Sequence, residues 1–374
     1  MERRKFIATA GLVGILAAGT APAVRAGQTT RWRLASRLPG SMEITHSGLQ
    51  DFILNLKAMS DGKFEITLQS ADEVTSSGGV LDSVQRGSVE CGHTSGLYYV
   101  DKDETFALDS AIPFGLNARQ MSAWMQYGQG LELLREFYLD LNIVNFPMGN
   151  TGAQMGGWYR KPIRSPADLK GLRMRMLGLG GRVLERLGGK AVYLPSGETI
   201  NALRRGNIDA AEWSAPHDDL RLGLPEVSKQ CAYPGWWKGG VQFSLYVNRR
   251  AYEALTDENR ALLESAAATA HLDIQAQYDA RNPPALRRFL AMGVKLTPQP
   301  KAVMDAAYRA VQELYADLSA KNPRWKKIYT SYAAFLREQS WGWGHTEIGF
   351  DSYLSSQQLK TLPHGKKSAP AGRR

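Results

Sequence analysis

Apolar residues recur along this chain at two alternating periods, and the alternation predicts the fold class. Arg31 to Ser36 reads as a strand. Ser41 to Ser60 follows as an amphipathic helix with Ile44, Leu49, Phe52, Ile53 and Leu56 on one face. Lys63 to Gln69 alternates as a second strand, Val80 to Arg86 is helical and stops at Gly87, and Val89 to His93 is the strand after it. Strand, helix, strand in this rhythm predicts an α/β protein with largely parallel sheets flanked by helices.

The rhythm returns downstream. Ser165-Pro166 reads as a helix start, with a capping serine and a proline at the first helical position. Leu172 to Met176 is then a strand. Ser196 is expected to cap a helix that runs to Arg205 and stops at Gly206, before a strand over Ile208 to Trp213. Val84-Gln-Arg-Gly-Ser-Val-Glu and Leu203-Arg-Arg-Gly-Asn-Ile-Asp repeat one pattern at an offset of 119 residues. The repeat fits two similar α/β lobes, and a span of roughly 330 residues between leader and tail is more than one core usually serves. The expected division places residues 27–150 with about 245–300 in the first lobe and residues 151–244 in the second.

From Thr256 the pattern is helical through Tyr278, with a break expected at Pro283-Pro284 and a returning strand at Val294 to Thr297. Met304, Ala307, Val311, Leu314 and Leu318 then form a helical stripe, continued by Trp325, Ile328, Tyr332, Phe335 and Leu336. These C-terminal helices, residues 301–359, pack either on their own lobes or on a partner subunit.

Composition changes the picture at the two ends. Arg3-Arg4-Lys5-Phe6, a short apolar run from Gly11 to Ala18, and Val24-Arg25-Ala26 read residues 1–26 as a twin-arginine signal peptide, hence an exported, periplasmic protein. Most of the formal net charge of +10 sits on that leader and on the tail 360–374, which carries Lys360, Lys366, Lys367, Arg373 and Arg374 and reads as disordered. A nucleic-acid binder would concentrate basic charge on the folded domain, so no nucleic-acid partner is expected. Cys91 and Cys231 read as two buried free thiols without metal-site spacing.

Motifs of catalysis are missing: there is no His-Glu-x-x-His, no Gly-x-Ser-x-Gly and no phosphate loop. Gly178-Leu-Gly180-Gly181 fails the spacing of a dinucleotide fingerprint and reads as a strand-to-helix turn, so no organic cofactor is expected. His93 reads as a core or supporting histidine. The chemistry that remains is concentrated in Asn150-Thr-Gly-Ala-Gln154, Gly171-Leu-Arg-Met-Arg175 and Asp209-Ala-Ala-Glu212-Trp213-Ser-Ala-Pro, at the ends of successive predicted strands. Arg173 and Arg175 share a strand face, and alternation alone does not separate them.

These segments, with Tyr233-Pro-Gly-Trp-Trp, resemble the substrate-binding proteins of tripartite ATP-independent periplasmic (TRAP) transporters. The closest similarity is to the branch that captures 2-oxo acids and small monocarboxylates. It extends in order and length over nearly the whole mature chain. The resemblance implies a two-lobed periplasmic binding protein fold with a hinge and a long C-terminal helical segment. It also implies a ligand such as pyruvate or a lactate-like hydroxy acid, a membrane permease as partner, and a homodimer through the C-terminal helix. It assigns Arg175 to the ligand carboxylate, where a planar guanidinium can give two parallel hydrogen bonds. Gln154, Glu212 and the main-chain carbonyl of Trp213 take a cation, an all-oxygen set suited to Na⁺ or Ca²⁺. Glu212 has a second reading as the ion-pair partner of Arg175. Tyr98, Tyr99, Trp213 and Phe243 are candidate cleft walls or plain core. The loop from Asp72 to Gly79 departs from the family pattern at a rim that bears on specificity. An exported cation-dependent lyase or hydrolase, with Glu212 as base, is the alternative from another class.

Overall fold

A computed structural model describes residues 29–361 apart from Pro39 and residues 70–78. The predicted leader, nearly all of the rim loop from Asp72 and most of the tail lie outside the described residues. In chain order the strands are β1 (Thr30–Ser36), β2 (Phe64–Leu68), β3 (Cys91–Thr94), β4 (Ile143–Asn150), β5 (Trp158–Tyr159), β6 (Arg173–Arg175), β7 (Lys190–Val192), β8 (Ala210–Ala211), β9 (Gln230–Tyr233), β10 (Gln242–Asn248) and β11 (Lys295–Pro298).

They form two sheets, ordered β2-β1-β3-β10-β4 and β11-β9-β5-β8-β6-β7. In the first, β1 runs parallel to β2 and β3, as helix-crossover connections require, while β10 is antiparallel to both β3 and β4. In the second, β6 is parallel to β7 and β8, and β5 is antiparallel to its two neighbours. Every residue of β4 and of β10 is buried, as expected of strands covered on both faces. Helices lie against the sheets. Glu43–Met59 seats Ile44, Leu49, Phe52 and Leu56 in the core.

The two repeated segments end their helices in the same way. Gly87 and Gly206 have φ of 75° and 79°, a left-handed turn that glycine adopts without a side-chain penalty. In each, the glycine N–H and the one after it donate back to the last helical turn. The helix before Gly206 begins at Ser196 with Pro195 as the cap residue, so Ser196 is inside the helix and does not cap it. Ser165-Pro166 opens only a short 3₁₀ turn, Pro166–Leu169.

Two expectations are corrected. The chain does not break at Pro283-Pro284: one 35-residue helix runs from Asp257 to Ala291. Each proline removes a donor from the carbonyl four residues earlier, but Asp279, Ala280 and both prolines are exposed, so water can satisfy the freed carbonyls. Packing on either side holds the helix through that point. Ile274 and Tyr278 are buried ahead of it, and beyond it Phe289 meets Trp158 edge to face at 4.9 Å. The strand after it, β11, was expected in the first lobe; it pairs parallel with β9 in the second sheet. The long helix thus starts beside one sheet and delivers the chain to the other.

The helices Lys301–Lys321 and Pro323–His345 pack on the molecule's own body. Val311, Leu314, Trp325 and Ile328 are buried, Tyr315 donates its hydroxyl to the Pro113 carbonyl at 2.6 Å, and the Tyr332 hydroxyl accepts from Leu116 N–H at 2.6 Å. Beyond them Trp341, Phe350 and Tyr353 are exposed, each by about 70 %. Cys91 and Cys231 are buried and unbridged, as expected. Among the described residues no helix is long and apolar enough to cross a membrane.

Candidate functional site

The parallel pairing of β6 and β8 brings two distant segments side by side. Arg175 stands opposite Ala211 at the carboxyl ends of the strands, and Glu212 N–H donates to the Arg175 carbonyl at 2.9 Å. Open α/β sheets bind ligands at such strand ends. Their side chains meet in the cleft: Arg175 Nη1 donates to Glu212 Oε1 and to the Glu212 carbonyl, both at 2.9 Å, and Nε donates to the Leu194 carbonyl at 3.3 Å. The guanidinium carbon lies 4.7 Å from the centre of the Trp213 ring. Among the described residues no hydrogen bond engages Arg175 Nη2.

Geometry separates the two arginines that alternation could not. Arg173 sits at the amino end of β6, where it grips Asp209 with two nitrogens at 2.8 and 2.9 Å, half exposed on the surface. Arg175 is buried at the other end and lines the cavity.

Glu212 carries a second cation that sequence reasoning missed. Lys238 Nζ donates to Oε2 at 2.8 Å, while Oε1 also accepts from Leu177 N–H at 3.1 Å. All three charged side chains are at most 4 % exposed. Burial pushes the Lys238 ammonium down and Glu212 opposes that shift. The signal available was a lysine between Trp237 and Gly239-Gly240, directly after the tryptophan loop. Nothing in the sequence says that it reaches a residue 26 positions earlier.

Gln154 follows β4 in the loop that begins at Thr151. Its Nε2 donates to Thr151 Oγ1 at 3.2 Å, and its Oε1 is buried with no partner. A buried acceptor left unpaired is costly, and Gln154 lines the same cavity as Arg175 and Lys238, the two partners of Glu212. Among the described residues no three His, Cys, Asp or Glu side chains gather as a metal site. An ion here would therefore rest on one carboxylate and neutral oxygens, a set that fits Na⁺ or Ca²⁺ with ligand oxygens or water completing the shell.

Tyr98, Trp213 and Phe243 line the cavity with Met42, Leu97 and Val241. Tyr99 does not line it. The two tyrosines are consecutive in the 3₁₀ turn Gly96–Tyr99, where successive side chains point about 120° apart. Tyr98 therefore faces the cleft under the Arg37 guanidinium, and Tyr99 enters the core, bonded to Thr94 at 2.9 Å and packed on Phe106. His93 is fully buried, with Nε2 donating to the Met148 carbonyl at 2.9 Å and its pKa lowered to about 4 by burial, so it is a neutral core residue. Behind the site, the Asp218 carboxylate accepts from Ser214 and from Tyr278 on the long helix, and Tyr278 in turn meets Thr45. This chain of bonds ties the floor of the cleft to the first sheet's helices.

The family model of bacterial extracellular solute-binding proteins, family 7, matches residues 35–322. The monocarboxylate 2-oxoacid-binding periplasmic protein of Nostoc is 41 % identical over 96 % of this chain and 100 % of its own length. A TRAP transporter solute-binding protein from Bordetella bronchiseptica is 41 % identical with a TM-score of 0.85, over 89 % of this chain and 99 % of that one. It was solved as a mixed-occupancy dimer with copurified calcium and picolinate in one site and the other apo. A Colwellia psychrerythraea relative with bound calcium and pyruvate has 32 % identity and a TM-score of 0.84 over 87 % of this chain and 100 % of its own. One from Pseudoalteromonas atlantica with sodium and pyruvate has 36 % identity and a TM-score of 0.82 over 88 % and 99 %. The two-lobed fold expected from sequence is the fold of these proteins, and the reading as a lyase or hydrolase is set aside. The chain belongs to family 7 of the bacterial extracellular solute-binding proteins, the TRAP receptors, and it is a solute receptor rather than an enzyme.

Proposed function

We propose that this receptor works in the periplasm, captures a small 2-oxo monocarboxylate such as pyruvate together with Na⁺ or Ca²⁺, and delivers it to a TRAP permease. The observation that carries the reading is the buried Arg175–Glu212–Lys238 group beside the unpartnered Gln154 Oε1. Arg175 holds the ligand carboxylate, and Tyr98, Trp213 and Phe243 close around its short apolar part. Gln154, Glu212 and the Trp213 carbonyl hold the ion, which supplies positive charge to the ligand's second oxygen. The ligands of the relatives support this, since pyruvate and picolinate each place a second donor atom next to the carboxylate. The two sheets with their helices act as lobes that close hinge-like on the ligand. The exposed aromatic residues from Trp341 onward form a contact with a second copy of the chain.

Calorimetric titration with a panel of 2-oxo acids, lactate and C4-dicarboxylates tests the ligand class, and product analysis of the same mixtures tests for turnover. Tightest binding is expected for a short 2-oxo monocarboxylate, recovered unchanged. A preference for a C4-dicarboxylate would overturn the reading.

A further inference from the structure

Lys238 has no place in the ligand scheme above, yet it occupies the carboxylate that scheme depends on. Its Nζ is 2.8 Å from Glu212 Oε2, both side chains are almost wholly buried, and it lines the same cavity as Gln154, Arg175 and Trp213. The charged groups around it are Glu212, Arg175 and Asp219. An ammonium bound to Oε2 fills the role that a metal ion bound to Glu212 would fill, neutralising a carboxylate that burial would otherwise penalise heavily.

We propose that Lys238 is a tethered competitor of the cation: it holds Glu212 when no ion is bound and has to leave Oε2 when one arrives. The inference rests on Glu212 and Gln154 being cation ligands.

The backbone beside Lys238 is closely packed. A Cβ added at Gly239 would meet the Leu116 carbonyl oxygen at 2.6 Å, and one at Gly240 would meet Asn150 Oδ1 at 2.5 Å. The chain directly after Lys238 is therefore wedged against its neighbours. The lysine stem is a flexible four-carbon arm, so Nζ can move into the cavity it borders while its Cα stays in place. If Nζ stayed on Oε2, three positive centres would crowd one carboxylate, and repulsion between like charges in a buried site is large. Displacement lowers the apparent affinity for any ion, because part of what the ion gains from Glu212 is lost by Lys238. It also keeps Oε2 paired between delivery and the next capture, while Arg175 and the Leu177 N–H hold Oε1.

The test compares wild type with Lys238→Met, which keeps the stem and removes the charge, and Lys238→Gln, which keeps a donor and removes the charge. Each protein is dialysed against a chelator and titrated calorimetrically with Ca²⁺ alone, then with pyruvate at saturating Ca²⁺. The account expects both variants to bind Ca²⁺ at least tenfold more tightly than wild type. Equal or weaker Ca²⁺ binding in the variants overturns the competitor role while leaving the cation site standing. No Ca²⁺ binding by any of the three overturns both. Nitrogen NMR of the lysine ammonium groups in unmodified protein gives a check that does not depend on the variants folding. The Lys238 signal should shift or vanish on Ca²⁺ addition, and a signal unmoved at saturation overturns the proposal.

Discussion

Arg175 is fixed by three hydrogen bonds and a ring face before any ligand arrives. A group so preorganised gives up little freedom on binding. Replacing it by lysine keeps the charge and loses the planar fork. Arg175→Lys should therefore cost about 2 to 5 kcal/mol in ligand binding, roughly 30-fold or more in Kd by calorimetry. Arg173→Lys, at a half-exposed ion pair, should change binding little. The reverse pattern would exchange their roles. His93 gives a pH signature. Its folded pKa is lowered to about 4 by burial, so between pH 6.5 and 4 the unfolded chain takes up a proton that the folded chain refuses, and stability at this residue is lost as pH falls. His93→Gln keeps a donor for Met148 and cannot titrate; relative to it, wild type should lose about 3 kcal/mol across that window in denaturant melts. A constant difference would contradict a neutral buried imidazole. Arg175, Glu212 and Gln154 were singled out through the family resemblance, and the fold brings Arg175 onto Glu212 and sets Gln154 on the same cavity as Arg175. Lys238 could not be, because its meaning lies in a contact with residue 212 that only the folded loop creates. Tyr98 and Tyr99 were each open as wall or core, and the 3₁₀ turn, which the sequence did not announce, turns Tyr98 to the cavity and Tyr99 to the core.

At the scale of elements, signals carried by the backbone itself were legible and those set by packing were not. Gly87 and Gly206 stop their helices where the repeated pattern says, because a left-handed residue is a local requirement. Pro283-Pro284 reads as a stop by the same local logic, yet the helix continues, because buried contacts on both sides outweigh two lost hydrogen bonds whose carbonyls face water. The cost of those prolines should still be measurable. Replacing both by alanine restores two donors in an exposed stretch, and should raise stability by about 1 to 3 kcal/mol, seen as a higher Tm. A lower Tm would mean that the helix needs a proline-shaped bend to reach Phe289 and Trp158. The placement of β11 beside β9 was out of reach of sequence reading for a related reason. A short strand with little burial of its own pairs according to where the preceding helix delivers it.

For the whole molecule, the two sheets frame a cleft whose floor is tied to the long helix through Ser214, Asp218, Tyr278 and Thr45. That helix runs from one sheet to the other. Trp341, Phe350 and Tyr353 are exposed on their own subunit, whereas Trp343 lies under Arg119; the dimer contact proposed above would use those exposed rings. Removing residues 341–374 should leave ligand affinity intact and shift the sedimentation coefficient from dimer to monomer; an unchanged coefficient would place the contact elsewhere or deny it. The central claim is that carboxylate and cation occupy one site and bind together. It is tested most directly by titrating pyruvate into chelator-dialysed protein in potassium buffer and again with Ca²⁺ restored. Reciprocal coupling predicts that the ion strengthens pyruvate binding, typically by about 5- to 150-fold. Equal affinity with and without the ion would contradict the account and leave Glu212 as the partner of Arg175 and Lys238 alone.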